Sequence, residues 1–596
     1  MARGRDFLTT FRENLRGWLV LFGEFRRLAL PYWIGAERWR AGALTAVLVL
    51  LTGSQVVVAV ALNFWFEQLF DSLEQRNFQR FVILIGVFFA ILAANMAVLT
   101  THLRIKRRLQ IGWRDWLTRQ LVGEWMTDGR HFLVTHLPGD HDNPDGRIAE
   151  DIRIGTERAV ELMHSLLYCL LLLVSFTSIL WELSGATHIA FGTTEVHLPG
   201  YLVWLAILFS ATGSTIAVLL GRPLVRAANQ RQSAEQDFRF GLADAREKSL
   251  AVALVRGEGD ARDRFARLFR RAAAAWDRQT TALANLLFFT SGWSMLPQIF
   301  PILVVAPRYI AGTITLGALM QTAQAFQQMT GALSWPIDNI AVVAEWRASV
   351  ERVQALHEAI RRLKDGAWSG GRPTIDLSRG EGSSLRLSAQ SVSSPEGEPI
   401  VAPFDGEIRQ GERLLLSGDQ NAIQRLLMAA LGLWPWGSGR VLLPKEARLL
   451  YMPAQPYLPV GTLQEAICQP AGLRDCDAAA VRAALDRVGL AHLVDHLDKT
   501  EIWEQTLLPH EQARLGFARL LLRRPDWILL ADALEACDAA GEADMIRLLR
   551  EEFPKATVIA YSRRPIDQGF FKRRFRVERK NGIAVVEEMP AAASLS

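Results

Sequence analysis

Residues Gly418 to Trp434 read GDQNAIQRLLMAALGLW, and they follow a strand-like run, Arg413-Leu414-Leu415-Leu416-Ser417. The stretch opens a helical window that closes at Leu-Gly-Leu-Trp-Pro-Trp-Gly-Ser-Gly. A strand, a glycine and a helix in that order form the setting of a phosphate-binding loop, G-x-x-x-x-G-K-[ST]. Such a loop needs glycines so that backbone N–H groups can turn toward the phosphates. It also needs a Lys for the β/γ charge and a hydroxyl for Mg²⁺. Here the Lys position falls on Ile423 or Gln424, and no glycine lies between Gly418 and Gly432. The stretch has the frame of a nucleotide-binding domain without its phosphate grip.

The surroundings support that frame. Short apolar runs (Arg413–Ser417, Trp527–Leu530, Thr557–Tyr561) alternate with helical windows (Gln424–Leu431, Ala478–Val488, Glu511–Leu522, Gly541–Phe553). This predicts an α/β domain with a partly parallel sheet over 385–588, followed by a tail, 589–596. A Gly/Ser-rich linker, 351–384, precedes it.

The first 345 residues are far more apolar. Stretches of about 20 residues, enough to cross a bilayer, occur near 41–65, 81–101, 162–184, 200–221, 283–306 and 314–336. A six-span, all-α domain over 41–350 is expected. Residues 102–158 hold ten Lys/Arg, 222–278 is again Arg-rich, and 185–199 holds none. The positive-inside rule therefore places the two basic segments and both termini in the cytoplasm. Residues 1–40 are basic and amphipathic, suited to lie on the membrane surface or on the protein's own spans. The start lacks the apolar core and small-residue cleavage site of a secretory signal.

Composition narrows the classes. The four cysteines, Cys169, Cys468, Cys476 and Cys537, form no CxxC pair, so neither a zinc site nor a disulfide framework is expected. A net charge of +5, with basic residues lacking aromatic interleaving, gives nucleic-acid binding no support.

Local segments carry a resemblance. Asp142-Asn143-Pro144-Asp145-Gly146-Arg147-Ile148-Ala149-Glu150-Asp151 is similar to the DNPDQRIxED segment of the SbmA/BacA group. Ile179–Gly185, Pro199–Trp204, Asp237–Phe240, Ala306–Gly312 and Ala323–Trp335 are similar in the same way. The chain thus resembles an SbmA/BacA-like ABC half-transporter of the exporter fold, related to peroxisomal and lysosomal half-transporters and to a mycobacterial cobalamin and peptide importer. The resemblance implies a six-helix membrane domain followed by an ABC nucleotide-binding domain of the phosphate-loop type. It also implies a homodimer in the bacterial inner membrane.

Measured against that family, the chemical positions depart. The signature motif, usually LS-x-GEQ, reads Leu507-Leu508-Pro509-His510-Glu511-Gln512, so its Ser is Leu508 and its Gly is His510. Where the family has LLLDEATSALD, the Mg²⁺-organising Asp aligns with Ala531 and the general-base Glu with Asp532. The Mg²⁺-sensing Gln aligns with Ala454, with Gln455 beside it, and the switch His aligns with Arg563. Each lost charge-assisted phosphate contact costs roughly 1.5–3 kcal/mol. Three or four such losses weaken a site by several orders of magnitude. No ATP or Mg²⁺ is expected as cofactor, no metal site is expected, and no catalytic residue is assigned. The remnant site comprises Gly418, Gln424, Leu508, His510, Glu511 and Gln512.

A second pattern offers another energy source. Glu161, His164, Tyr168, Ser175, Ser178 and Glu182 fall on one stripe of the third span, about 32 Å long. Gln321, Gln324, Gln328, Gly331, Trp335 and Asp338 form a stripe on the sixth. Polar stripes avoid lipid, so the two are expected to face each other or a watery cavity. Some members of the resembled group lack the soluble domain and resemble proton-driven peptide importers. That implies a carboxylate–histidine relay through Glu161 and His164, moving a peptide or other amphiphilic solute. The alternatives are one degenerate half of an ATP-driven heterodimer and a non-transporting membrane scaffold.

Overall fold

The computed structural model describes residues 23 and 25–589, except 138, 140–141, 186–187, 192–193, 198, 367–370, 470–475, 564–565 and 567–568. It divides into two units, one of residues 1–122 and 143–356, the other of 123–142 and 357–596.

The first unit is helical: α1 (Arg38–Glu74), α2 (Phe78–Trp125), α3 (Ile152–Ser184), α4 (Tyr201–Glu247), α5 (Glu258–Ile310), α6 (Leu316–Leu333) and α7 (Ile340–Lys364). Among the described residues five helices are long and apolar enough to span a membrane by length and composition: α1, α2, α3 with its leading turn, α4 and α5. The sixth stretch, α6, is an 18-residue helix, and its glutamines and threonines lower its hydropathy. Gln321, Thr322 and Thr330 are buried by protein, which removes the need for an apolar surface. The core of this unit joins Phe176 and Leu180 of α3, Leu202 and Ala206 of α4, and Ala325 and Phe326 of α6.

Two expected boundaries also shift. Residues 123–142 lie inside the expected membrane domain yet group with the soluble unit. The reason is apolar: Leu133 is buried in that unit's core, with Phe132 and Leu137 packed against it. The expected linker beginning at 351 is still helical as far as Lys364.

In the second unit, strands β1 (Asp376–Gly380), β2 (Ser384–Ser393), β3 (Pro399–Arg409), β4 (Arg413–Gly418), β5 (Gly437–Pro444), β6 (Leu449–Pro453), β7 (Trp527–Ala531), β8 (Thr557–Tyr561), β9 (Arg573–Lys580) and β10 (Ile583–Met589) form one sheet. Its order is β1-β5-β2-β3-β10-β9-β4-β8-β7-β6. The block β9-β4-β8-β7-β6 is parallel. β7 and β8 are nearly continuous apolar runs, as strands covered on both faces must be. Helices α8 (Gln420–Ala430), α9 (Leu463–Cys468), α10 (Ala478–Arg487), α11 (Pro509–Arg523) and α12 (Ala539–Glu552) complete the unit. The carboxyl ends of β4, β6, β7 and β8 share one edge, where parallel α/β sheets place their sites.

One cysteine expectation is overturned: Cys468 and Cys476 are joined as a disulfide, their Cα atoms 6.0 Å apart. Cys169 and Cys537 are buried free thiols.

Candidate functional site

At the carboxyl edge of the sheet lies a cavity of about 530 Å³ lined by Gln420, Gln424, Tyr451, Ala454, Gln455, Pro509, Ala531, Asp532, Glu535, Tyr561 and Arg563. The aligned positions Gln424, Ala454, Gln455, Ala531, Asp532 and Arg563 are therefore gathered in one place. The N-termini of α8 and α11 border it.

Between β4 and α8 the chain makes a tight turn. Gly418 has φ +116°, and a Cβ there would lie 2.0 Å from the Val577 carbonyl oxygen of the neighbouring β9. Only glycine allows that approach. Asp419 follows as the N-cap, its N–H donating to the Val577 carbonyl (2.8 Å). Its carboxylate accepts from the Ala422 N–H (2.9 Å) and pairs with the Arg579 guanidinium (2.9 Å). The helix thus begins at Gln420, leaving no extended loop of free N–H groups. A helix N-terminus attracts one anion, and here that anion is the chain's own. Of the two candidates for the lysine position, Ile423 is fully buried in the apolar cluster of this unit and Gln424 lines the cavity.

The second N-terminus, that of α11, is filled in the same manner. Leu508 occupies the cap and Pro509 the first turn, which removes one backbone donor. Glu511 folds back so that its carboxylate accepts the Leu508 N–H (2.9 Å), while His492 Nε2 lies 3.0 Å from its other oxygen. Gln512 is buried and donates to the carbonyls of Glu504 (2.8 Å) and Leu507 (3.0 Å). His510 is exposed. Glu511 and Gln512 therefore shape the helix start and present no group to a ligand.

Asp532, at the general-base position, sits in the left-handed region (φ +52°) and is 6% exposed. Its N–H donates to the Tyr561 carbonyl (2.9 Å), and its Oδ1 accepts the Arg563 N–H (3.1 Å). Burial pushes its pKa above the usual carboxylate range and the charge of Glu535 adds to this, partly offset by Arg563. The Arg563 side chain lies 3.5 Å from Asp532 and forms an ion pair with Glu535. With Ala531 in place of a metal carboxylate, the residues present do not fit a magnesium triphosphate. Among the described residues the cavity's one arginine is engaged, and the Asp419 carboxylate caps α8. Among the described residues no three metal-ligating side chains come together. In the helical unit, Asp151 of the similar segment is 4% exposed and ion-paired with Arg147 (3.2 Å) and Arg352. That segment is a pinned turn.

The helical unit separates the two stripes. α3 meets α6 and the turn after it through Ser165 and Trp335 (3.1 Å), Cys169 and the Ala332 carbonyl (3.1 Å), and Thr177 and Met329 (3.9 Å). These α3 residues lie one position round from the polar stripe, so the expected face-to-face arrangement does not form. On α6, the Asn63 amide of α1 donates to the Gln321 carbonyl (3.1 Å) and to Gln324 (2.7 Å), while Gln328 is half-buried. Asp338 instead lines a cavity of about 380 Å³ with Gln327, Thr330 and Ser334 opposite Ser210, Gly213 and Trp293 of α4 and α5. Glu161 pairs with Arg158 (2.8 Å), which also holds Glu345 (3.0 Å). Glu182 is exposed.

His164 has a partner the sequence did not suggest. Its ring meets that of His102 on α2 edge to face, centroids 4.0 Å apart. Tyr168 lies 6.4 Å away on the other side. His102 Nε2 and His164 Nδ1 are both buried without a hydrogen-bond partner. Lys106 stands one turn along α2 and Glu161 one turn back along α3. Two touching imidazoles with open ring nitrogens can hold one proton between them, since like charges that close oppose a second.

With both regions described, the fold follows. Residues 26–310 match the family described as ABC transporter transmembrane region 2, and the helical unit followed by the α/β unit has the exporter fold. The "Inner membrane ABC transporter ATP-binding protein YddA" of Escherichia coli is similar at 27% identity, covering 92% of this chain and 96% of that one. "ABC transporter D family member 2, chloroplastic" of Arabidopsis thaliana is similar at 25%, covering 88% and 82%. Among solved structures, a bacterial Atm1-family ABC exporter with ATP bound superposes with TM-score 0.65 over 92% of this chain and 95% of that one, at 17% identity.

Proposed function

We propose that this chain is a homodimeric transporter of the bacterial inner membrane that moves a peptide or other amphiphilic solute without hydrolysing ATP. The E. coli relative is named an inner membrane protein, which supports the location. The observation that carries the energetic reading is that Asp419 occupies the N-terminus of α8. Two unit charges 4 Å apart repel by about 4 kcal/mol at an effective dielectric of 20. A phosphate brought to that cap meets a carboxylate already there. The soluble module then serves dimerisation and stability.

Energy comes instead from the proton gradient, with His102 and His164 as a shared single-proton site and the Asp338 cavity as the solute's path. The test is uptake into proteoliposomes holding the purified chain. The reading predicts uptake that collapses with a protonophore and ignores internal or external MgATP. Uptake that requires ATP and survives the protonophore refutes it. Co-purification of a second subunit with an intact phosphate loop would instead make this chain the silent half of an ATP-driven pair.

A further inference from the structure

The cavity of about 380 Å³ between α4, α5 and the end of α6 has a lining of one polarity. Asp338 is the only charged side chain in it, and it is exposed. Among the described residues Asp338 has no ion-pair partner. A carboxylate held among membrane spans without a counter-charge is costly. The cavity therefore lacks a cation.

The hydroxyls around it point to the same deficit. Thr290 and Ser294 of α5 donate to the carbonyls of Leu287 (3.3 Å) and Ser291 (2.9 Å). Thr330 donates to the Phe326 carbonyl (2.9 Å), and Ser334 to the Thr330 carbonyl (3.0 Å). A hydroxyl whose proton is spent on the preceding turn has only lone pairs to offer a ligand. The lining thus sets acceptors beside a negative charge, and N–H donors on a cation complement it.

Another part of the wall is flat and apolar. Trp293 of α5 stacks on Phe209 of α4, with centroids 4.5 Å apart, and on Phe289, at 5.4 Å. Gly213 makes room for the indole, since a Cβ there would lie 2.1 Å from its nitrogen. A volume of this size suits a small molecule or one side chain of a larger one.

We infer that this cavity binds a protonated amine carried on an apolar body, an arylalkylammonium group. The ammonium sits on Asp338 and the body lies against the aromatic stack. The inference rests on the reading of this cavity as the solute's path, and it gives that solute its charge.

The full chain in nanodiscs of zwitterionic lipid is photolabelled with two aryl-diazirine probes of one shape, a phenylbutylamine and the matching phenylbutanol. Neither a proton gradient nor nucleotide is present. Labels are mapped by mass spectrometry at Phe289 and Gln327, relative to Leu303 on the exposed side of α5. The amine should exceed the alcohol by about tenfold to a hundredfold, as a charge-assisted contact provides. Asp338→Asn should bring the amine down to the level of the alcohol and leave the alcohol unchanged. Trp293→Leu should weaken both probes alike, by about threefold to tenfold. Should Asp338→Asn misfold, the comparison of amine with alcohol on the unaltered chain decides alone. Equal labelling by the two probes there, or an amine preference that survives Asp338→Asn, overturns the inference. No amine preference beside protonophore-sensitive uptake sinks this inference alone. An amine preference beside ATP-dependent uptake leaves it standing and sinks only the proton-driven reading.

Discussion

Replacing Asp419 by Ala removes two contacts of known kind. The N-cap bond to Ala422 is worth about 1 kcal/mol. The pair with Arg579, half-exposed on the arginine side, adds about 0.5 kcal/mol after screening. The soluble unit should therefore lose about 1.5 kcal/mol. For a domain of this size, roughly 2–4 °C of Tm per kcal/mol, the midpoint should fall by about 3–6 °C. Asp419→Asn separates the two contributions, because Asn caps as well as Asp and loses only the ion pair. Its midpoint should fall by about 1–2 °C. The chain carries 18 tryptophans, so the midpoint is read from the soluble unit's transition in differential scanning calorimetry rather than from intrinsic emission. Equal midpoints for Ala and Asn would show that the cap bond to Ala422 contributes nothing, and an Asn midpoint equal to that of the unaltered chain would show that the carboxylate's charge does not hold the N-terminus of α8, so that the internal-anion reasoning fails.

Other consequences are sharper in direction than in size. Gly418→Ala drives a Cβ into the Val577 carbonyl at a backbone angle that L-residues avoid, so the soluble unit should lose more than about 3 kcal/mol, visible as loss of its unfolding transition. The raised pKa of Asp532 means the folded state binds this proton more tightly than the unfolded chain. Its ionisation therefore costs stability as pH rises through the folded value, and nothing below the unfolded value near 4. Asp532→Asn should raise the midpoint at pH 7, and the gain should shrink toward that of a neutral exchange below about pH 4; a gain independent of pH contradicts this. His164→Gln and His102→Gln should each abolish protonophore-sensitive uptake in proteoliposomes with the fold intact by circular dichroism. Unchanged uptake in both would exclude the shared-proton site.

Much of this was legible in the chain. The alternation of apolar runs and helical windows after residue 385 places β4, β7 and β8 where they occur, because fully buried parallel strands must be apolar throughout. The departures from the resembled motifs were also legible, at Ile423 or Gln424, Ala531 and His510. Asp419 precedes a helical window and is an N-cap signal on its own, but its bond to the Val577 carbonyl and its pairing with Arg579 depend on a strand far along the chain. Periodicity found the polar stripe on α3. It did not find that α6 would pack one residue round from it, since that is set by the shapes of Phe176, Leu180 and Phe326. His102 lies on another helix, beyond any spacing rule. Gln327 was passed over for Gln328, although the helix turns it toward α4 and α5. The Cys468–Cys476 bond has no spacing signature. Residues 123–142 lie within the basic segment 102–158, and nothing in its charge pattern shows that Phe132, Leu133 and Leu137 join a different core.

The most direct test of the account is calorimetric titration of MgATP into the purified full-length chain, with released phosphate measured on the same sample. The account predicts no heat of binding at millimolar nucleotide and no phosphate above the buffer rate. Micromolar binding, or steady hydrolysis that Asp532→Asn abolishes, would contradict it.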